Sequence, residues 1–106
     1  MPTSLTLDTA HGKDGAPVLL AVGEIDLSNI DAFDRALSAA TDEVASGGRK
    51  LTVDLSAVEY LDSAAINALF THAEHIHLIA HPLLMSILSM CGLTELVSTE
   101  PAAAGH

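Results

Sequence analysis

Asp62 and Ser63, in the stretch VEYLDSAAINALF (58–70), set a carboxylate beside a hydroxyl where an extended run gives way to a helix. Two uses are open to such a pair. Asp62 or Ser63 can accept a hydrogen bond from a free first-turn N–H and cap the helix, contributing about 1 kcal/mol. Alternatively, the Ser63 hydroxyl can take a phosphate, because exposed N–H groups and the helix dipole favour an anion at a helix N-terminus. That phosphate would add about two negative charges beside Asp62, enough to repel an acidic partner or disrupt a dry contact. A third polar group, Asp26 in GEID, joins them if the strands around 18–23 and 51–55 run parallel. Their C-terminal ends then share one edge, where open α/β sheets usually place function.

Other reactive residue types lead less far. His72, His75, His77 and His81 are spaced so that a transition-metal site is geometrically possible, yet the spacing matches no HExxH motif and Glu74 is the only nearby carboxylate. They are read as exposed polar positions, and no metal or other cofactor is expected. Protonating all six histidines would move the formal charge from −10 to −4, so partner affinity is expected to vary with pH. Glu24, Asp26 and Asp62 lack an aromatic sugar platform, and the chain has no nucleophile elbow, phosphate-cradling glycine loop or dinucleotide fingerprint. No catalytic residue is assigned. Cys91, as the one cysteine, excludes an internal disulfide, and its position on an apolar stripe predicts a buried small hydrophobe.

The elements that must position these groups follow from periodicity. Leu5 and Leu7 alternate, as do Val18, Leu20 and Val22, across the turn-rich AHGKDGA, which predicts an opening hairpin. Ser28 and Asp31 suggest a helix start. Ile30, Phe33, Leu37, Ala40 and Val44 then recur at helical spacing up to Gly47 and Gly48. LTVDLS predicts a central strand. A second helix begins near Ser63 with Ile66, Leu69, Phe70 and Ala73 on one face, and IHLIA gives a fourth strand. Pro82 opens and Gly92 stops a third helix whose buried stripe would be Leu84, Ile87, Leu88 and Cys91. LTELVST predicts a last short strand before a frayed tail. The expectation is one α/β domain over residues 1–100, with a flexible tail at 101–106. Its small mixed sheet opens with the hairpin and continues in parallel strands joined by helices.

Composition bounds the partners. Of the 106 residues, 49% are hydrophobic, a packed globular composition, and fourteen acidic residues stand against four basic ones. A formal charge of −10 repels nucleic acid and anionic lipid headgroups, so direct binding to either is not expected. All four basic residues (Lys13, Arg35, Arg49 and Lys50) precede Leu51. MPTSLTLDTA has neither the basic nor the apolar region of a secretory signal, and no apolar run reaches membrane-spanning length; cytoplasmic residence is the expectation.

AVGEIDLSNIDAF, VDLSAVEYLDSAAINALF and HPLLMSILSMCGLTELV, in that order, resemble the STAS domain of bacterial anti-sigma factor antagonists, over about residues 4–100. In that family an Asp-Ser pair at a helix start carries a serine that is phosphorylated by an anti-sigma factor with serine-kinase activity. The unphosphorylated antagonist binds that factor and so frees the sigma factor. The resemblance implies that Ser63 is the phosphoacceptor, that Asp26, Asp62, Ser63, Ala64 and Ala65 form the partner-binding set, and that the protein is a kinase substrate controlling transcription. A monomer or weak dimer is expected. The family often has Ser or Thr and then usually Gly after the acceptor, where this chain has Ala64 and Ala65, and the run joining the second helix to IHLIA is shorter, which requires a short helix or a poorly formed strand. An alternative is a constitutive STAS interaction module, such as the small subunit of a lipid-transport ABC complex.

Overall fold

A computed structural model describes residues 4–12, 15–45 and 47–102. Strands β1 (Leu5–His11) and β2 (Pro17–Ile25) form the expected hairpin, followed by α1 (Ile30–Ala45), β3 (Leu51–Leu61), α2 (Ser63–Thr71), a 3-10 turn (Ala73–His75), β4 (Ile76–Ala80), α3 (Pro82–Met90), α4 (Leu93–Leu96) and β5 (Ser98–Pro101). The five strands lie in the sheet in sequence order, β1 antiparallel to β2 and the remaining neighbours parallel. The α/β class, hairpin and parallel order are those expected from the sequence.

One face of this sheet holds the core. Leu19 and Ala21 of β2, Leu51, Val53 and Leu55 of β3, and Ile76, Leu78 and Ala80 of β4 form one buried cluster with Phe33, Leu37 and Val44 of α1, Leu69 of α2 and Leu84 and Leu88 of α3. The alternate residues Val18, Leu20, Thr52, Asp54, His77 and Ile79 lie on the other face and stay partly exposed. Thr41 is the one buried polar residue among those described, and its Oγ1 donates to the Ser38 carbonyl at 3.0 Å, so α1 gains no unsatisfied group from it.

Two details of the sheet aim its functional edge. β3 runs five residues beyond the predicted LTVDLS segment, to Leu61, and its register against β2 slips between Leu20 and Val22 and again between Gly23 and Glu24. At each slip β3 carries one extra residue, a bulge that bends the strand and redirects its C-terminal end. Gly23 lies at the second slip with φ +115°, and a Cβ there would overlap the Ser4 backbone carbonyl oxygen. That carbonyl also accepts the Glu24 N–H at 3.0 Å. Glycine at this position therefore lets β1 approach the end of β2 closely.

Several expectations change. α1 begins at Ile30, with Asn29 accepting the first N–H groups, from Ala32 and Phe33; Ser28 instead bonds back to Asp26 within the preceding turn. The buried face of α2 is Ala65, Ala68 and Leu69, with Ile66 and Phe70 half-buried, because small side chains let the helix sit close to the sheet. α2 is short, nine residues, while β4 is fully paired with β3, which resolves how the shortened connection is accommodated. Cys91 is exposed, as is Ile87 at 44%: α3 ends at Met90, Gly92 turns the chain at φ +85°, and Leu93 takes the buried position that Cys91 was expected to fill. LTEL forms the short helix α4, so the last strand starts only at Ser98. Pro101 pairs with Ala80, and the Ala102 N–H donates to the Ala80 carbonyl at 2.8 Å; residues 103–106 of the expected tail lie outside the described residues.

Candidate functional site

The C-terminal ends of β2 and β3 do converge, and Asp62 is the residue that joins them. Its N–H donates to the Ile25 carbonyl at 3.2 Å, continuing the parallel ladder past the last paired residues. With backbone angles of −93° and −177° it is extended, and so stands as the N-cap of α2. Its Oδ1 accepts the Ala65 N–H at 3.0 Å, while its Oδ2 reaches across the edge to accept the Leu27 N–H at 2.9 Å. One carboxylate thus caps a helix and holds a loop 35 positions earlier in the chain. Bonds from backbone N–H to an ionised acceptor are the stronger kind, so this is the main polar clamp of the edge.

The β2–α1 loop is ordered by its own short side chains. Asp26 Oδ1 accepts the Ser28 N–H at 2.9 Å and the Ser28 hydroxyl, Asn29 Oδ1 accepts the Asp26 N–H at 3.0 Å, and Asn29 Nδ2 donates to the Glu24 carbonyl at 3.0 Å. Asp26 therefore acts first on its own loop, as an Asx turn does. The turn leaves Leu27 76% exposed at the rim.

Between these clamps stands Ser63. It occupies the first helical position of α2, is exposed, and its hydroxyl has no hydrogen-bond partner among the described residues, because Asp62 has taken the capping role that either residue was expected to fill. The first intrahelical bond runs from the Ile66 N–H to the Asp62 carbonyl at 3.1 Å, and Asp62 Oδ1 takes the Ala65 N–H. The Ser63 and Ala64 N–H groups at the tip remain without a protein partner among the described residues. Of the expected partner-binding set, Asp62, Ser63 and Ala64 meet at this tip and Asp26 lies in the adjoining loop. Ala65 is fully buried, and its methyl packs into the core.

Sequence reasoning missed two exposed apolar side chains, of which Leu27 lies at this edge, held there by Asp62. Leu27 and Leu83 are large apolar side chains 76% and 77% exposed, one in the β2–α1 loop and the other in the first turn of α3. Ile87 and Met90 continue the apolar line along α3, the latter 87% exposed. The i, i+4, i+7 spacing of Leu83, Ile87 and Met90 was visible as helical, but the opposite stripe looked equally apolar, and only packing shows which stripe the sheet covers.

The histidines do not gather. His72 ends α2 and approaches Asp34 Oδ1 at 3.5 Å and Ser38 Oγ at 3.4 Å on α1; His77 faces Glu100 Oε1 at 3.4 Å; His81 caps α3, its Nδ1 accepting the Leu83 N–H at 3.1 Å. Each has a local structural partner, whereas His75 is simply exposed. No group of three metal-binding side chains occurs among the described residues.

This sheet, with its capped Asp-Ser edge, is that of a STAS domain. A family model described as "Mlab, STAS domain" matches residues 9–98, and the chain belongs to that family. Among solved structures, an anti-sigma factor antagonist from Mycobacterium paratuberculosis is 28% identical with a TM-score of 0.79, over 93% of this chain and 87% of that one. The anti-sigma factor antagonist SpoIIAA in its unphosphorylated form shares the fold at 13% identity and a TM-score of 0.69, over 93% of this chain and 90% of that one. An uncharacterised DUF3478-family protein from Shewanella loihica PV-4, described as having a SpoIIAA-like fold, is also similar at 13% identity and a TM-score of 0.53, over 93% and 85%. No curated protein matches. No helix among the described residues is long and apolar enough to cross a membrane.

Proposed function

We propose that this protein is an anti-sigma factor antagonist working by partner switching: unphosphorylated, it binds a kinase-type anti-sigma factor through the Asp62–Ser63 edge, and phosphorylation of Ser63 releases it. The carrying observation is the division of labour at the tip of α2, where Asp62 caps the helix and the Ser63 hydroxyl stays exposed and unbonded. A kinase can take that hydroxyl without dismantling the cap. The product phosphate stands near two first-turn N–H groups and the positive end of the helix dipole, so the fold tolerates it. The partner does not: a contact built on Leu27 and the Ala64 methyl would have to desolvate about two new charges. Ser63 thus acts as substrate, with no catalytic group required of this chain. The antagonist likeness at 28% identity supports the partner class.

The second reading, a constitutive module such as the small subunit of a lipid-transport ABC complex, draws on Ala64 and Ala65 standing where the family often has Ser or Thr and then Gly. It also draws on the words "Mlab, STAS domain" in the matching family description. Affinity capture with tagged wild type and Ser63→Glu, read by mass spectrometry, separates the two. Recovery of a kinase-type anti-sigma factor by wild type and its loss with Ser63→Glu is the expected result. The same partner on both forms, or a transporter ATPase alone, would overturn phosphoswitching.

A further inference from the structure

The face of the sheet turned away from the helices carries an ordered row of side chains. Cross-strand register places Asp8 beside Leu20, Leu20 beside Asp54, Asp54 beside Ile79 and Ile79 beside Glu100. Acid and apolar residues therefore alternate across all five strands. Asp8 and Glu100 are exposed, and Leu20, Asp54 and Ile79 are half-buried among their neighbours. Asp8 spends its Oδ1 on the Thr9 N–H and Asp54 its Oδ1 on the Ser56 N–H, which leaves each second oxygen unbonded among the described residues. None of the four basic residues lies on any of the five strands; the flanking open-face residues include Thr6, Ala10, Val18, Val22, Thr52, His77 and Ser98. His77 Nε2 lies 3.4 Å from Glu100 Oε1, so Glu100 would meet a partner through its other oxygen.

Neighbouring strands are about 4.8 Å apart, so the three acids recur about every 10 Å, with an apolar side chain midway between them. An α-helix rises about 1.5 Å per residue, so positions i and i+7 are about 10.5 Å apart on the same face, with i+3 and i+4 midway. We propose that this open face docks a cationic amphipathic helix of a partner protein, laid across the strands. Its Lys or Arg residues at i, i+7 and i+14 would meet Asp8, Asp54 and Glu100, and its apolar residues between them would cover Leu20 and Ile79. Charge selects this occupant: a second copy would bring the same acids against themselves, and an anionic lipid surface would be repelled. The surface is separate from the Ser63 edge, so the protein would hold two partners at once, one switched and one not.

The test is calorimetric titration of the full-length protein with a synthetic helical peptide carrying Lys at i, i+7 and i+14 and Leu at the intervening i+3 and i+4 positions. A peptide of identical composition with the lysines moved to a four-residue period is the control. Binding of the first peptide at least tenfold tighter than the second, weakened about two- to fivefold by Asp54→Asn, abolished by Leu20→Lys and unchanged by Ser63→Glu, is expected. Asp8→Lys, at an exposed position, gives a reversed-charge variant should Leu20→Lys fail to fold. Equal affinity for both peptides would reduce the effect to net charge and overturn the proposal. So would a concentration-dependent dimer dispersed by Asp8→Lys, which would place a second copy on the face.

Discussion

Two helices begin on the same edge of the sheet, and they begin differently. α2 follows β3 and α3 follows β4, each is nine residues long, and each has a side-chain cap on its first-turn N–H groups. At α2 the cap is a carboxylate that also reaches Leu27 across the edge, and the next residue is an exposed serine. At α3 the cap is the His81 ring, and the next residue is Pro82, which has no N–H to offer and no hydroxyl to modify. Hence α2 presents modifiable polar chemistry, whereas α3 presents a fixed apolar rim through Leu83. Both starts are capped, but only at α2 does a free hydroxyl stand beside the cap.

The strongest way to break the α2 start is to displace the strand end it is tied to. Gly23→Ala introduces a Cβ into the Ser4 carbonyl at a positive φ, and a loss of about 3 kcal/mol, read by urea denaturation, is expected. Asp62→Ala removes the cap and the Leu27 bond together and should cost about 2 kcal/mol, while Asp62→Asn, itself a good cap, should cost less than half of that. His81→Ala should cost only about 0.5–1 kcal/mol, since that cap holds α3 and no second segment. The smallest stability effect sharpens the contrast most. Ser63→Ala should change stability by less than about 0.5 kcal/mol, yet abolish phosphate incorporation from ATP by the kinase-type anti-sigma factor proposed above. A loss near the Asp62→Ala value would return Ser63 to a capping role.

How much of this was legible depended on distance along the chain. The start of α3 at Pro82, the stops at Gly47–Gly48 and Gly92, and the Asp-Ser helix start were readable, because each rests on backbone angles and hydrogen bonds within a few residues. The Arg49 N–H bonding back to the Val44 carbonyl at 3.2 Å, with Gly48 at φ +71°, is such a local stop. Cys91 and Ile87 were misread because both helix stripes are apolar, and the choice between them lies with the packing of α3 and α4. VEYL was read only as an extended run and not as the continuation of the LTVDLS strand, because two bulges break the alternation on which a strand is recognised.

By itself, then, the sequence determined the order of strands and helices, the glycine and proline punctuation, and a carboxylate and hydroxyl at the start of α2, since these arise from short-range sterics and periodicity. Only the tertiary structure decided which of the pair is the cap, that Asp62 also secures Leu27 beside Ser63, and that Asp8, Leu20, Asp54, Ile79 and Glu100 align. Those relations depend on strand register and on bonds between segments tens of residues apart, and no local propensity encodes them.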